Sequence, residues 1–237
     1  MLLHGWGLHS GVWAPVLAGL EARYRVTRID LPGHGRSPGR LGSIEAAADA
    51  VLQAAPERAI WLGWSLGGMI ATAATARAAG RIERLALVAS NPSFLQRPGW
   101  PEAMAPATLA AFADGLEADF EATLARFLSL QFRGVKGASA TLRGLRAELA
   151  ACPPRPESLR DGLAILRDAD LRDLLGAFEG PVAAILGSLD TLVPKGLATQ
   201  LPRLHPGVRV EVLEGAGHAP FLTQPGRFLE ALARAME

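Results

Sequence analysis

The sequence predicts an α/β protein: a mostly parallel sheet with helices on both faces, interrupted by a helical insertion. Three observations lead there. Short apolar runs of strand length alternate with longer amphipathic patterns. Most of those runs are apolar at nearly every position, as parallel strands covered on both sides are. The alternation then stops between about Asn91 and Gly180, where Pro/Gly-rich edges (Pro92, Pro98, Gly99, Pro101; Pro153, Pro154, Pro156) bracket helical patterns without a convincing strand. A sheet core over 1–91 and 181–237 with a helical cap over 92–180 satisfies all three.

Each element has its own signal. Met1-Leu2-Leu3 reads as the end of a strand running into the turn His4-Gly5-Trp6-Gly7. Either this first strand is trimmed to a stub or residues that precede it are missing. Trp13, Val16, Leu17 and Leu20 fall at i, i+3, i+4, i+7, one stripe of a helix. Strands are expected over 25–30, 59–64, 84–89, 182–186 and 208–213. Ser43 is placed to cap a helix carrying Ile44, Ala48, Val51 and Leu52. An Ala-rich helix follows over 66–79, and Phe228, Leu229, Leu232 and Met236 mark a closing amphipathic helix.

Composition narrows the function. At 237 residues the chain suits one large domain or one domain with an insertion. Hydrophobic residues at 49% and charged residues at 20% fit a globular protein rather than a disordered one. Twenty-four Lys and Arg against 23 Asp and Glu leave a net charge of +1, too little to draw the whole protein to nucleic acid or an anionic membrane. No run approaches the ~18 apolar residues of a spanning helix. The single cysteine, Cys152, excludes an internal disulfide framework and suits a reducing cytoplasm. No His/carboxylate cluster has metal-ligand spacing and no Gly-rich loop has nucleotide-binding form, so no cofactor or metal is expected.

The sharpest motif is Gly63-Trp64-Ser65-Leu66-Gly67-Gly68, a G-x-S-x-G between an expected strand and an expected helix. The tight turn that projects the serine crowds the positions two before and two after it, so glycine has a steric reason to be there. A serine needs a base, and the base needs an acid. Downstream lie two histidines. His205, in Leu-His-Pro-Gly, reads as a surface turn residue. His218, in Gly-Ala-Gly-His-Ala just after the last strand, is where a base reaches the carboxyl edge of a parallel sheet. Asp190 follows the 182–186 strand and is the acid chosen. Asp168, Asp170 and Asp173 fall in the insertion, and Glu211 and Glu214 on or beside the last strand. The backbone N–H groups of Leu66 and Trp6 are the expected oxyanion donors. His4, His9 and His34 are read as structural.

These pieces resemble the α/β-hydrolase superfamily in its own order: His-Gly, Asp30-Leu-Pro-Gly-His-Gly-Arg-Ser37, the serine turn, the Asp loop and Gly-His-Ala. Within it, His4-Gly-Trp-Gly-Leu8, Ala59-Ile-Trp-Leu-Gly-Trp-Ser-Leu-Gly-Gly68, Arg126-Phe-Leu-Ser-Leu-Gln131 and Gly162-Leu-Ala-Ile-Leu166 with Asp170-Leu-Arg172 resemble the pimeloyl-[acyl-carrier protein] methyl ester esterases of biotin synthesis. Trp64 before the serine is the most telling, because histidine or glutamine is commoner there across the superfamily. The resemblance implies hydrolysis of a methyl ester on a pimeloyl chain borne by acyl carrier protein. It also implies substrate contacts at Trp6, Ser65, Leu66, Phe127, Leu128, Ser129, Leu130, Gln131 and His218.

The residues support part of this independently. Phe120, Leu124, Phe127, Leu128 and Gln131 share a helical stripe able to roof an apolar slot, with ordinary packing the plainer account of Phe120 and Leu124. From Ala122 to Ala147 there are five basic residues, Arg126, Arg133, Lys136, Arg143 and Arg146, and no acid. They form either a dock for an acidic carrier protein or a solvated face balanced by Glu117, Asp119, Glu121 and Glu148. A cytoplasmic monomer is expected. The rivals are a general short-chain carboxylesterase on the same fold and a non-catalytic hydrolase-like binding protein. Haloalkane and epoxide chemistry is disfavoured because it needs an aspartate at position 65.

Overall fold

The computed structural model describes residues 1–237, except for the side chain of Phe120. Six strands form one sheet: β1 (Leu2–Leu3), β2 (Arg28–Ile29), β3 (Ala59–Trp64), β4 (Ile82–Val88), β5 (Val182–Gly187) and β6 (Arg209–Leu213). Their order across the sheet is β2-β1-β3-β4-β5-β6, and every neighbouring pair is parallel. All carboxyl ends therefore open on one edge, where ligands of open parallel sheets bind.

Helices α1 (Ala14–Glu21), α2 (Ile44–Ala54) and α3 (Leu66–Ala78) come from the first half of the chain. Ser43 caps α2, its hydroxyl accepting the N–H of Ala46. The second half supplies α4 (Pro106–Ala118), α5 (Phe120–Leu130), α6 (Ser139–Ala151), α7 (Pro156–Asp168) and α8 (Arg172–Ala177), all between β4 and β5. α9 (Leu197–Leu204), α10 (Pro220–Thr223) and α11 (Pro225–Met236) follow β5 and β6. α3 packs on β3 and β4 alongside α2, whereas α11 packs on β5 and β6 alongside α1. Between β4 and β5 the described residues form only isolated bridges, such as Ser93 to Asp170, and no strand.

One strand is much shorter than expected. The apolar pattern over 25–30 contracts to Arg28–Ile29, because β2 lies at the sheet edge and its only neighbour, β1, offers two partners, Leu2 and Leu3. β1 sits inside the sheet, pairing with β2 on one side and with Leu62 and Gly63 of β3 on the other. The Met1 amine extends that contact by donating to Ile60 O at 2.6 Å, and burial lowers its pKa to about 6. This register delivers the His4–Trp6 turn beside the end of β3.

Candidate active site

Ser65 sits at φ 54°, ψ −120°, a left-handed conformation that a side chain enters only under constraint. The constraints are visible. Its N–H donates to Val88 O at 2.9 Å, and its carbonyl accepts Ser90 Oγ at 2.7 Å and Gly68 N at 3.0 Å. A methyl on Gly63 would stand 2.5 Å from Gly67 O, and one on Gly67 would overlap the carbonyls of Leu3 and His4. Both glycines of the motif are thus sterically required, as the sequence suggested.

Asp190 and His218, the acid and base expected from the sequence, lie within hydrogen-bond distance. Asp190 Oδ2 accepts Nδ1–H of His218 at 2.8 Å, with both side chains buried. Asp190 Oδ1 accepts the amides of Leu192 at 2.8 Å and Val193 at 3.0 Å. The carboxylate orients the ring so that the Nε2 lone pair is the free end. That atom is buried and makes no hydrogen bond to a described protein atom, Ser65 Oγ included. Hydroxyl–imidazole contacts are often long or poorly aligned in unliganded sites. The loops holding the pair are laced to each other: Leu189 N donates to Ala216 O at 2.9 Å and Gly215 N to Ser188 Oγ at 2.9 Å. Trp64 Nε1 donates to the His218 carbonyl at 2.8 Å, tying the base loop to the residue before Ser65.

The His4–Trp6 turn lies against the serine. A Cβ on Gly5 would be 3.3 Å from Ser65 Cβ. Among the described residues, neither Trp6 N–H nor Leu66 N–H has a protein acceptor; Leu66 opens α3, where unpaired amides and the helix dipole favour negative charge. His4 braces the turn, its Nδ1–H donating to Gly5 O at 2.8 Å while Nε2 accepts Leu31 N at 2.9 Å. Burial, with repulsion from His34, holds its pKa down at about 3, so the ring is neutral.

Above the site lie α5 and α7. The Trp6 indole donates to Leu159 O at 2.9 Å and meets the Phe127 ring edge-on at 4.7 Å. Phe127, Leu128 and Leu124 are buried, and Ser129 and Leu130 are half-buried. Phe120, placed on the same stripe by the sequence, lies outside the described side chains. Gln131 is 1% exposed and both polar atoms of its amide lack protein partners, while its backbone carbonyl accepts the N–H of His218 at 3.0 Å. A buried amide left unpaired costs about 1–3 kcal/mol. Arg126, Arg133, Lys136, Arg143 and Arg146 are all exposed, and none is ion-paired among the described residues. Glu117, offered above as a balancing acid, instead pairs with Arg160.

The alpha/beta hydrolase family pattern matches residues 1–231. The chain belongs to the alpha/beta hydrolase family. This alpha/beta hydrolase is 46% identical over 230 residues to the pimeloyl-[acyl-carrier protein] methyl ester esterase of Methylococcus capsulatus, covering 96% of this chain and 90% of the relative. It is 42% identical over 232 residues to the protein of the same name from Pectobacterium carotovorum, covering 97% and 91%. Among solved structures, an esterase from Exiguobacterium antarcticum superposes with a TM-score of 0.89 at 24% identity, covering 98% of this chain and 89% of that one, a likeness of fold.

The hydrolase departs from expectation at His205. It is no surface turn residue: it ends α9 as a buried cap, its Nε2 bonded to Phe178 O at 3.0 Å. The Leu-His-Pro-Gly string signals the turn but not the Phe178 loop that covers it. Sequence reasoning also missed a clamp on α7. Asp161 receives both Nε and Nη2 of Arg40 at 2.6 Å and the N–H of Gly42 at 2.8 Å, which holds the carboxyl below the usual carboxylate range. Its partners lie about 120 residues away, and no local pattern announces such a pair. Among the described residues no three His, Cys, Asp or Glu side chains gather to hold a metal, and no helix is long and apolar enough to cross a membrane.

Proposed function

We propose that the protein is a serine carboxylesterase that hydrolyses the methyl ester of pimeloyl-[acyl-carrier protein] methyl ester to the free acid and methanol. The observation that carries the chemistry is the buried Asp190–His218 pair at one sheet edge with the strained Ser65 turn. His218 Nε2 takes the Ser65 proton as the hydroxyl oxygen attacks the ester carbonyl. The amides of Leu66 and Trp6 receive the oxyanion. His218 then protonates the departing methoxide, leaving an acyl-enzyme. Water, deprotonated by His218, releases the carboxylate and restores Ser65.

Substrate identity is supported by the names of the relatives and by the apolar roof of Phe127 and Leu128 over the Trp6 indole. Gln131 supplies amide hydrogen-bonding capacity, and Ser129 and Leu130 complete the run along the slot. The 92–180 segment serves as the cap. Exposed Arg126, Arg133, Lys136, Arg143 and Arg146 form the dock for the acidic carrier, raising encounter rate more than affinity. We place the enzyme in the cytoplasm as a monomer, without cofactor.

Ser65→Ala is expected to lower turnover by about 10⁶ with substrate binding retained. Near-normal turnover in that variant would falsify the mechanism. Substrate identity is tested by growth without biotin of a strain lacking its methyl esterase. Growth restored by the wild-type gene and not by Ser65→Ala supports it. Failure to restore growth, with good turnover of short p-nitrophenyl esters, assigns a general esterase instead. Fluorophosphonate labelling of Ser65 without turnover of any ester assigns a binding protein.

A further inference from the structure

The Ser65 carbonyl is unusually well supplied with donors. As the residue capping the N-terminus of α3 it already receives the N–H of Gly68 at 3.0 Å and of Met69 at 3.3 Å. The hydroxyl of Ser90 adds a third bond, at 2.7 Å the shortest of the three. The helix does not need it. Three features nevertheless converge to deliver that hydroxyl. Ala89 turns the chain out of β4 at φ 43°, left-handed for a residue with a side chain, and its N–H is pinned to Ile185 O at 2.8 Å. Ser90 is 2% exposed. A methyl on Gly68 would collide with the Cβ and Oγ of Ser90, so the glycine after the motif leaves its space.

The carbonyl that Ser90 grips belongs to the same peptide as the N–H of Leu66. That peptide is planar and trans, so fixing the direction of C=O fixes N–H in the opposite direction. Donation into the carbonyl also polarises the peptide and strengthens its N–H as a donor. We propose that Ser90 is a positioning residue of the oxyanion hole: its hydroxyl aims and polarises the Ser65–Leu66 peptide so that Leu66 N–H meets the developing oxyanion. This rests on the reading of Ser65 as nucleophile and Leu66 N–H as oxyanion donor. The Ser90 hydroxyl bonds the Ser65 carbonyl, and its effect passes through that one peptide group.

The test compares wild type, Ser90→Ala, Ser90→Cys and Ser65→Ala on a soluble methyl ester. It adds affinity for an alkyl trifluoromethyl ketone, which forms a tetrahedral oxyanion adduct, and the infrared carbonyl stretch of the acyl-enzyme. Loss of a direct oxyanion donor costs about 10²–10³ in kcat, so loss of its support in Ser90→Ala is expected to cost about tenfold with KM within about twofold. Ketone affinity should fall by the same factor, and the acyl carbonyl band should move to higher frequency. Ser90→Cys, near in size but a weaker donor, should fall between, and it serves alone if the alanine variant does not fold. Wild-type kcat and ketone affinity in a folded Ser90 variant overturn the inference, as does a lower melting temperature with an unmoved carbonyl band. If Ser65→Ala keeps its turnover, the nucleophile reading itself fails. If Ser65→Ala is inert while the Ser90 variants match wild type, only the role of Ser90 fails.

Discussion

The indole of Trp64 donates to the backbone carbonyl of His218 at 2.8 Å, so the residue preceding the serine fixes the loop that carries the imidazole. The two rings also lie 5.7 Å apart, centroid to centroid. Trp64→Phe keeps much of the aromatic volume and removes the donor, leaving a buried carbonyl unpaired. Stability is expected to fall by about 1–3 kcal/mol, measured by urea denaturation. Because the His218 loop loosens, kcat should fall about ten- to a hundredfold with little change in KM. Unchanged kcat would show that the loop holds its place without Trp64.

Asp190 divides its carboxylate, one oxygen for the amides of Leu192 and Val193 and the other for His218. In Asp190→Asn the amide oxygen is held by the same two N–H groups, which turns the NH₂ toward Nδ1. The ring must then carry its proton on Nε2, the tautomer that cannot accept from Ser65. A loss of about 10⁴ in kcat is expected with the fold intact. Steady-state kinetics beside a circular dichroism melt checks both halves.

Gly67 faces the carbonyls of Leu3 and His4 across the gap between α3 and β1. Gly67→Ala must push apart backbone on both sides, for which no rotamer offers relief. It is expected to cost about 3 kcal/mol or more. It should also displace the Trp6 turn, so that residual activity falls even where the variant folds. Gly80→Ala, with open space around the added methyl, is the control and should melt within a degree or two of wild type.

Two buried histidines set an acid limit on stability. Burial holds the pKa of His4 at about 3 and of His34 at about 4, against an ordinary value of 6.5. Below pH 6.5 the unfolded chain gains protons on these rings and the folded chain does not. Their contribution is thus complete above pH 6.5 and is lost as pH falls toward 4, by up to about 1.4 kcal/mol per pH unit for each ring. Urea denaturation at about pH 7, 6 and 5 should trace this decline. His34→Asn, which retains a donor for Pro32 O without a titrating ring, should remove its share of the decline and leave that of His4.

Local pattern carried much of the fold. The 59–64 strand is legible because a strand buried on both faces must be apolar throughout, and the α2 start because Ser43 caps by its own chemistry. Ser65 with Gly63 and Gly67 is legible because a left-handed turn between strand and helix imposes residue types on adjacent positions. Asp190 and His218 could be named from where they follow strands. What brings them to one hydrogen bond is the parallel pairing of β5 with β6.

Tertiary structure alone decided the rest. The extent of β2 depended on how much of β1 lay beside it, and the burial of His205 on the Phe178 loop above it. The links from Trp64 to His218, Arg40 to Asp161 and Ser90 to Ser65 join residues 154, 121 and 25 positions apart. Composition and periodicity report what a residue prefers within its own turn of helix or strand. They hold no record of which distant carbonyl a buried donor will meet, because that is settled only when the sheet order brings the two together.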